Sequence, residues 1–84
     1  GMCLKQFPID VAEGDRAADH GDAPALYRVV HNLKSVLTLL GQERSAQLAH
    51  SVESHAAQGM LPPMRAGWQQ LRRQVLAYRI WHGG

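Results

Sequence analysis

The chain has 84 residues, of which 45% are hydrophobic, and nine basic against seven acidic residues give a formal net charge of +2. This length predicts one domain near the lower size limit for independent folding, and the apolar content excludes general disorder. The single cysteine, Cys3, cannot form an internal disulfide, which excludes a disulfide-stapled secreted scaffold and favours a cytoplasmic protein. We take residues 2–84 as the domain, since Gly1 before Met2 is typical of tag removal.

The first two predicted helices are separated by a glycine–aspartate pair. The first covers residues 8–20 and is weak, because Gly14 interrupts its alanine-bearing sequence. The aspartate of the pair, Asp22, is placed to cap the second helix, which has a proline in its first turn. This second helix extends to about Leu40 and stops at the glycine that follows.

Two further helices follow after short loops. The third covers residues 42–58 and ends at Gly59, and the fourth begins at the Pro62-Pro63 pair. Apolar side chains of the fourth helix recur every three or four residues, at Met64, Trp68, Leu71, Val75 and Tyr78. Loops of a few residues join antiparallel neighbours. We therefore predict an all-α, up-and-down antiparallel four-helix bundle whose first helix is short or weak.

The second helix has an apolar face and a polar face. At about 100° per residue, the apolar face comprises Leu26, Val29, Val30, Leu33, Val36, Leu37 and Leu40. The opposite face, within about 60° of His31, carries Tyr27, Lys34, Ser35 and Thr38. A core histidine would lie among the apolar residues, so we predict that His31 is exposed to solvent at mid-helix.

This placement suits phosphoryl chemistry. An exposed neutral imidazole is a competent nucleophile near pH 7, since its unperturbed pKa is about 6.5. A phosphoryl group brings concentrated negative charge, which Lys34 at the next turn is placed to stabilise. The small side chain of Ser35 lets a partner approach the ring. The alternative is a surface histidine with an incidental lysine.

The wider pattern resembles the histidine-phosphotransfer (HPt) domain family. The family signature is His-x-x-Lys-Gly, with an apolar residue and a glycine nine and ten places after the histidine; His31, Lys34, Leu40 and Gly41 match it. Further matches are Gly21, Asp22, Leu26, Leu48, Val52, Glu53 and Gly59. The resemblance covers residues 8–81. It departs at Ser35, which replaces the signature glycine, and in the helix that often precedes the bundle, which is short or missing here.

The resemblance implies a phosphocarrier rather than an enzyme. His31 would accept the phosphoryl group through Nε2, and Lys34 would stabilise its charge. Five residues would rim the docking surface for a partner: Tyr27, Arg28, Ser35, Thr38 and Leu39. That partner would be a response-regulator receiver domain or a hybrid histidine kinase, with Mg²⁺ held by the receiver and no cofactor or metal in this chain. We expect a cytoplasmic monomer that binds neither nucleic acid nor membrane.

Other interpretations stay open. A histidine-kinase dimerisation segment would usually have an acidic residue after the histidine, where Asn32 stands here. A helical adaptor that is never phosphorylated is favoured by Ser35. A basic patch for nucleic acid would be formed by Arg65, Arg72, Arg73 and Arg79, although a solvated helix face is the favoured interpretation of these residues.

A metal site is the last alternative. The chain has five histidines, at positions 20, 31, 50, 55 and 82. Metal ligands in helical bundles usually recur three or four residues apart and converge on the interior. His50 and His55 are about 140° apart around a helix and do not share a face. Surface histidines are therefore the favoured interpretation, and Trp68 is expected in the core while the position of Trp81 stays open.

Overall fold

The computed structural model describes the backbone of residues 6–82 and the side chains of residues 9–77. Within that range the chain forms four helices and no strand: α1 (Gln6–His20), α2 (Ala23–Leu39), α3 (Glu43–Ala57) and α4 (Leu61–His82). Each helix packs against the next, and α4 packs against α1. The predicted all-α four-helix bundle is confirmed. The predictions for Cys3, Tyr78, Arg79, Trp81 and His82 concern side chains outside this range.

Local capping explains where α2 begins and ends. The Asp22 side chain accepts a hydrogen bond from the Ala25 amide at 3.2 Å, which satisfies one of the free donors of the first turn. At the other end, Gly41 has a φ of 77°, a left-handed conformation that side chains rarely adopt. The predicted N-cap and stop signal of this helix are therefore confirmed, and His31 lies near its middle.

The first helix differs from the expectation of a short or weak element. It has 15 residues, as many as α3, and passes through Gly14 without a break. A Cβ atom at position 14 would overlap the ring of Trp68, so the glycine permits α4 to approach α1 closely. The Trp68 indole then donates a hydrogen bond to Asp15 Oδ1 at 2.8 Å. Tertiary packing outweighs the low helix propensity of glycine here.

The core lies between the four helices. Its fully buried large side chains are Leu26, Val30, Leu33, Leu37, Val52, Met64, Trp68, Leu71 and Val75. Five of the seven apolar residues predicted for the buried face of α2 are buried, and the other two, Val36 and Leu40, pack against the core while partly exposed. The core position of Trp68 is confirmed. The apolar face of α2 therefore turns inward and its polar face outward.

Two of the described arginines of α4 are bound to α1 rather than free. Arg65 donates from Nε to the Ala18 carbonyl at 2.8 Å, and the Arg72 guanidinium pairs with Asp15 at 2.9 Å. Both side chains therefore tie α4 to α1, which leaves Arg73 as an unpaired arginine of α4 among the described side chains. Two of the four predicted patch residues thus have structural partners. None of the described helices has the length and apolar character required to cross a membrane.

Candidate functional site

His31 lies at mid-helix on the outward face of α2. Its side chain is 55% exposed, whereas Leu33 and Leu37, on the other side of the helix, are fully buried. The predicted exposure of the histidine is therefore seen in the structure. Because α2 is capped and packed along its length, the ring is presented from a rigid support.

A carboxylate from α3 holds the His31 ring. Glu53 Oε2 lies 2.9 Å from His31 Nδ1, and Glu53 Oε1 accepts a hydrogen bond from Lys34 Nζ, also at 2.9 Å. Only 10% of the Glu53 side chain is exposed. One buried carboxylate therefore bridges the two α2 residues that the sequence analysis singled out for phosphoryl chemistry.

The charge state of this carboxylate determines which nitrogen carries the proton in a neutral His31 ring. Burial raises the pKa of Glu53, but hydrogen bonds and charge attraction from Lys34 and His31 outweigh burial and leave this pKa below its ordinary value. Glu53 is therefore ionised at neutral pH, and an ionised carboxylate only accepts hydrogen bonds. The proton of a neutral His31 must then lie on Nδ1, which leaves a lone pair on Nε2.

Neighbouring side chains restrain the site further. The Tyr27 ring is stacked on His31, with centroids 6.1 Å apart and planes 6° from parallel. The Ser35 hydroxyl donates to the His31 carbonyl at 3.3 Å, and the Thr38 hydroxyl donates to the Lys34 carbonyl at 2.8 Å. Both hydroxyls are thus turned onto the helix backbone. The ring is held by Glu53 at Nδ1 and by Tyr27 against its face.

Lys34 is less solvated than the helical projection suggested. Its side chain is 28% exposed, and its ammonium is bound to Glu53 rather than free beside the ring. The reason is that α3 packs against this side of α2, so the aliphatic part of the lysine is covered while its end reaches the carboxylate. A single-helix projection cannot include a neighbouring helix.

The predicted rim residues surround His31 on the surface of α2. Arg28, Ser35, Thr38 and Leu39 are exposed, and Tyr27 is an exposed aromatic residue. Leu39 is 74% exposed and lies near the end of the helix. The structure therefore places these five residues on the same outward surface as the histidine.

Among the described side chains, the other histidines do not assemble a metal site. His50 Nδ1 lies 3.9 Å from Glu53 Oε1, beyond hydrogen-bonding distance, and its side chain is 70% exposed. Among the described residues no group of three or more histidine, cysteine, aspartate or glutamate side chains is arranged to hold a metal ion. His20 is exposed at the end of α1, and His55 is partly exposed on α3.

Glu53 is the site residue that sequence reasoning missed. The sequence analysis matched it to a family position but gave it no role. A signal was present, because Glu53 follows Val52 and lies one turn from Ala49 and Ala56, all of them buried on the inner side of α3. A carboxylate on an apolar helix face requires a charged or hydrogen-bonding partner. The sequence alone does not show that His31 and Lys34 are the partners of Glu53.

The Glu53 pKa predicts how stability depends on pH. Its folded-state value is lowered, so acidification protonates the unfolded chain first and removes stability. The stabilisation by Glu53 is complete above the ordinary glutamate pKa of about 4.3 and is lost as pH falls through the lower folded-state pKa. We expect the parent's advantage over Glu53→Gln in unfolding free energy to shrink over that interval, as urea unfolding at a series of pH values would measure. An advantage that stays constant or grows on acidification would contradict this assignment.

These features define a class of protein: a helical bundle that presents an oriented, exposed histidine at its surface. The sequence model of the Hpt domain family matches residues 1–81. The chain therefore belongs to the Hpt domain family, the histidine-phosphotransfer domains of two-component phosphorelays. No curated protein and no solved structure matches the chain.

Proposed function

We propose that this chain carries a phosphoryl group on His31 Nε2 and exchanges it with an aspartate of a receiver domain. One observation carries the proposal: an ionised, buried Glu53 binds His31 Nδ1 at 2.9 Å, so that in the neutral imidazole the proton lies on Nδ1 and Nε2 of the exposed ring keeps its lone pair. Nε2 makes no hydrogen bond within the described residues. It is therefore the nitrogen available for attack on phosphorus.

The transfer step follows from this geometry. The Nε2 lone pair forms a bond to phosphorus while the bond from phosphorus to the aspartyl oxygen breaks, and the aspartate leaves as a carboxylate. The Nδ1 proton stays in place, so the ring gains positive charge as the new bond forms. Glu53 faces that charge at 2.9 Å and stabilises it. The reverse reaction returns the phosphoryl group to the aspartate.

Lys34 contributes through Glu53 as well as directly. Its ammonium neutralises the second carboxylate oxygen, so the carboxylate repels an approaching phosphoryl group less strongly. It also adds a positive charge one helical turn from His31. We assign it the charge-stabilising role. The chain would act as a carrier rather than an enzyme, with Mg²⁺ held by the receiver.

The alternatives have weaker support. The adaptor interpretation depends on Ser35, whose hydroxyl is bonded to the His31 carbonyl along the helix. In a kinase dimerisation segment a carboxylate usually follows the histidine directly, whereas here the carboxylate that binds His31 comes from α3. Neither alternative accounts for a buried glutamate that binds both His31 and Lys34.

The test is phosphoryl transfer from receiver domains that have been charged with radiolabelled acetyl phosphate. We expect the label to move to this chain as an acid-labile, alkali-stable phosphohistidine, and NMR of ¹⁵N-histidine-labelled protein to place it on Nε2. Phosphoramidate, a small-molecule phosphoryl donor, serves as the docking-independent control. If phosphoramidate labels the chain and no receiver does, the result would support His31 as the nucleophile and contradict a receiver domain as the partner. No label from either donor would favour the adaptor.

A further inference from the structure

A cleft between α1 and α2 adjoins the phosphotransfer site. Its volume is about 400 Å³, and its walls are formed by side chains of both helices. Space is available because Ala17 and Ala25 line it with small side chains. Two residues next to His31 also line the cleft. Arg28 lies about one turn before His31 on α2, and Asn32 follows it directly. A protein that covers the exposed His31 ring therefore reaches the cleft as well.

Two arginines line this cleft from opposite walls. Arg16 belongs to α1 and Arg28 to α2, and both are exposed. Neither forms an ion pair or hydrogen bond within the described residues. By contrast, Lys34, Arg65 and Arg72 are bound to acceptors of this chain. The cleft therefore holds two guanidinium groups whose donors are free for a partner.

The remaining polar residues of the cleft limit what can bind there. Two carboxylates, Glu13 and Asp22, also line the cleft, together with His20. The Asp22 side chain already caps α2 by accepting a hydrogen bond from the Ala25 amide. Asp22 precedes Arg28 by six residues, which corresponds to about 9 Å along the helix axis. Glu13 precedes Arg16 by one turn of α1. Because the lining has as many carboxylates as arginines, it suits a single carboxylate held at the arginines and disfavours an extended polyanion such as a nucleic acid.

We propose that this cleft receives an acidic side chain of the receiver domain docked on His31, bound between Arg16 and Arg28. The inference rests on the proposed function and adds a chemical requirement on the partner. Guanidinium groups bind carboxylates through paired, charge-assisted hydrogen bonds, so one aspartate or glutamate could engage both arginines. The contact would fix the orientation of the receiver relative to Nε2.

The test compares two double variants with the same change of charge. Arg16→Gln/Arg28→Gln removes both cleft arginines, and Arg44→Gln/Arg73→Gln removes two exposed, unpaired arginines elsewhere. Binding to a receiver that exchanges phosphoryl groups with the parent is measured by calorimetry at several salt concentrations. We expect the cleft variant to bind at least about tenfold more weakly and the control variant to change by less than about twofold. Thermal melts establish that both variants are folded.

The outcomes separate this inference from the proposed function. If the parent exchanges phosphoryl groups with the receiver while the cleft variant binds as tightly as the parent, the cleft assignment is overturned alone. Equal weakening by both double variants would also overturn it, since that result means general electrostatic attraction. Inorganic phosphate that shifts the Arg16 and Arg28 Nε signals and displaces the receiver would assign the cleft to a small anion instead. If no receiver labels the parent, the proposed function fails and this inference fails with it.

A double-mutant cycle identifies the partner residue. Each aspartate and glutamate on the receiver surface is changed to its amide, and each change is combined with Arg28→Gln. We expect one acidic residue to couple strongly to Arg28, so that the second change adds little to the first. Independent effects at every acidic position would contradict a carboxylate held in the cleft.

Discussion

Replacing His31 with glutamine is expected to abolish phosphoryl acceptance from receivers and from phosphoramidate. Glutamine keeps an amide donor that can face Glu53 but has no nucleophilic nitrogen. The fold should be retained, because His31 is 55% exposed and lies away from the helix caps. The measurement is radiolabel incorporation per chain, with circular dichroism and a thermal melt to establish helical structure.

His50→Gln is the matched control for this substitution. His50 is exposed on α3, and its Nδ1 lies 3.9 Å from the same carboxylate, so it is the nearest alternative acceptor. We expect His50→Gln to incorporate label as the parent does. If His31→Gln keeps its label and His50→Gln loses it, the phosphoryl group is carried on α3 and the site has been assigned to the wrong helix.

Periodicity within one helix predicted the part of the site that belongs to α2. His31, Lys34 and the rim residues all lie within about three and a half turns of α2, and their angular positions follow from the residue numbers alone. The apolar face of the same helix had to be buried, which turned His31 outward. Capping at Asp22 and the glycine after Leu40 fixed the ends of the helix. Local rules were sufficient here because every relevant distance lies within one element.

The contact that orients the ring could not be predicted in this way. Glu53 is 22 residues from His31, and their pairing depends on how α3 rotates and slides against α2. Periodicity puts Glu53 on the buried side of α3 but does not say which residue of α2 it meets. The ion pair of Lys34 and the cleft between Arg16 and Arg28 depend on helix packing in the same way. How two helices pack depends on how the side-chain ridges and grooves of both fit together, so it cannot be predicted from the pattern of one helix alone.

The first helix shows the converse case, in which a local rule is outweighed. Gly14 lowers helix propensity by about 1 kcal/mol relative to alanine, so the sequence alone predicts a weak first helix. In the bundle the missing Cβ makes room for the Trp68 ring, whose burial and hydrogen bond to Asp15 join α1 to α4. Burial of an aromatic side chain outweighs the propensity cost.

Replacing Leu37 with alanine is expected to destabilise the bundle by about 2–5 kcal/mol. Leu37 is fully buried on the inner face of α2, so truncation removes buried apolar surface and leaves a cavity. The whole unfolding free energy of a domain is only about 5–15 kcal/mol, and a melting temperature falls by roughly 4–8 °C per kcal/mol for a chain of this size. We therefore expect a fall of at least about 8 °C, measured by circular dichroism.

Leu39→Ala is the matched control, because it makes the same chemical change two residues along the same helix. Leu39 is 74% exposed, so its truncation removes little buried surface, and alanine has the higher helix propensity. Its unfolding free energy should stay within about 0.5 kcal/mol of the parent. Each residue turns the helix by about 100°, so Leu37 and Leu39 are about 200° apart in one direction, or about 160° in the other, and lie on nearly opposite faces. Equal losses from both substitutions would mean that α2 is rotated relative to this structure, and His31 would then no longer face the solvent.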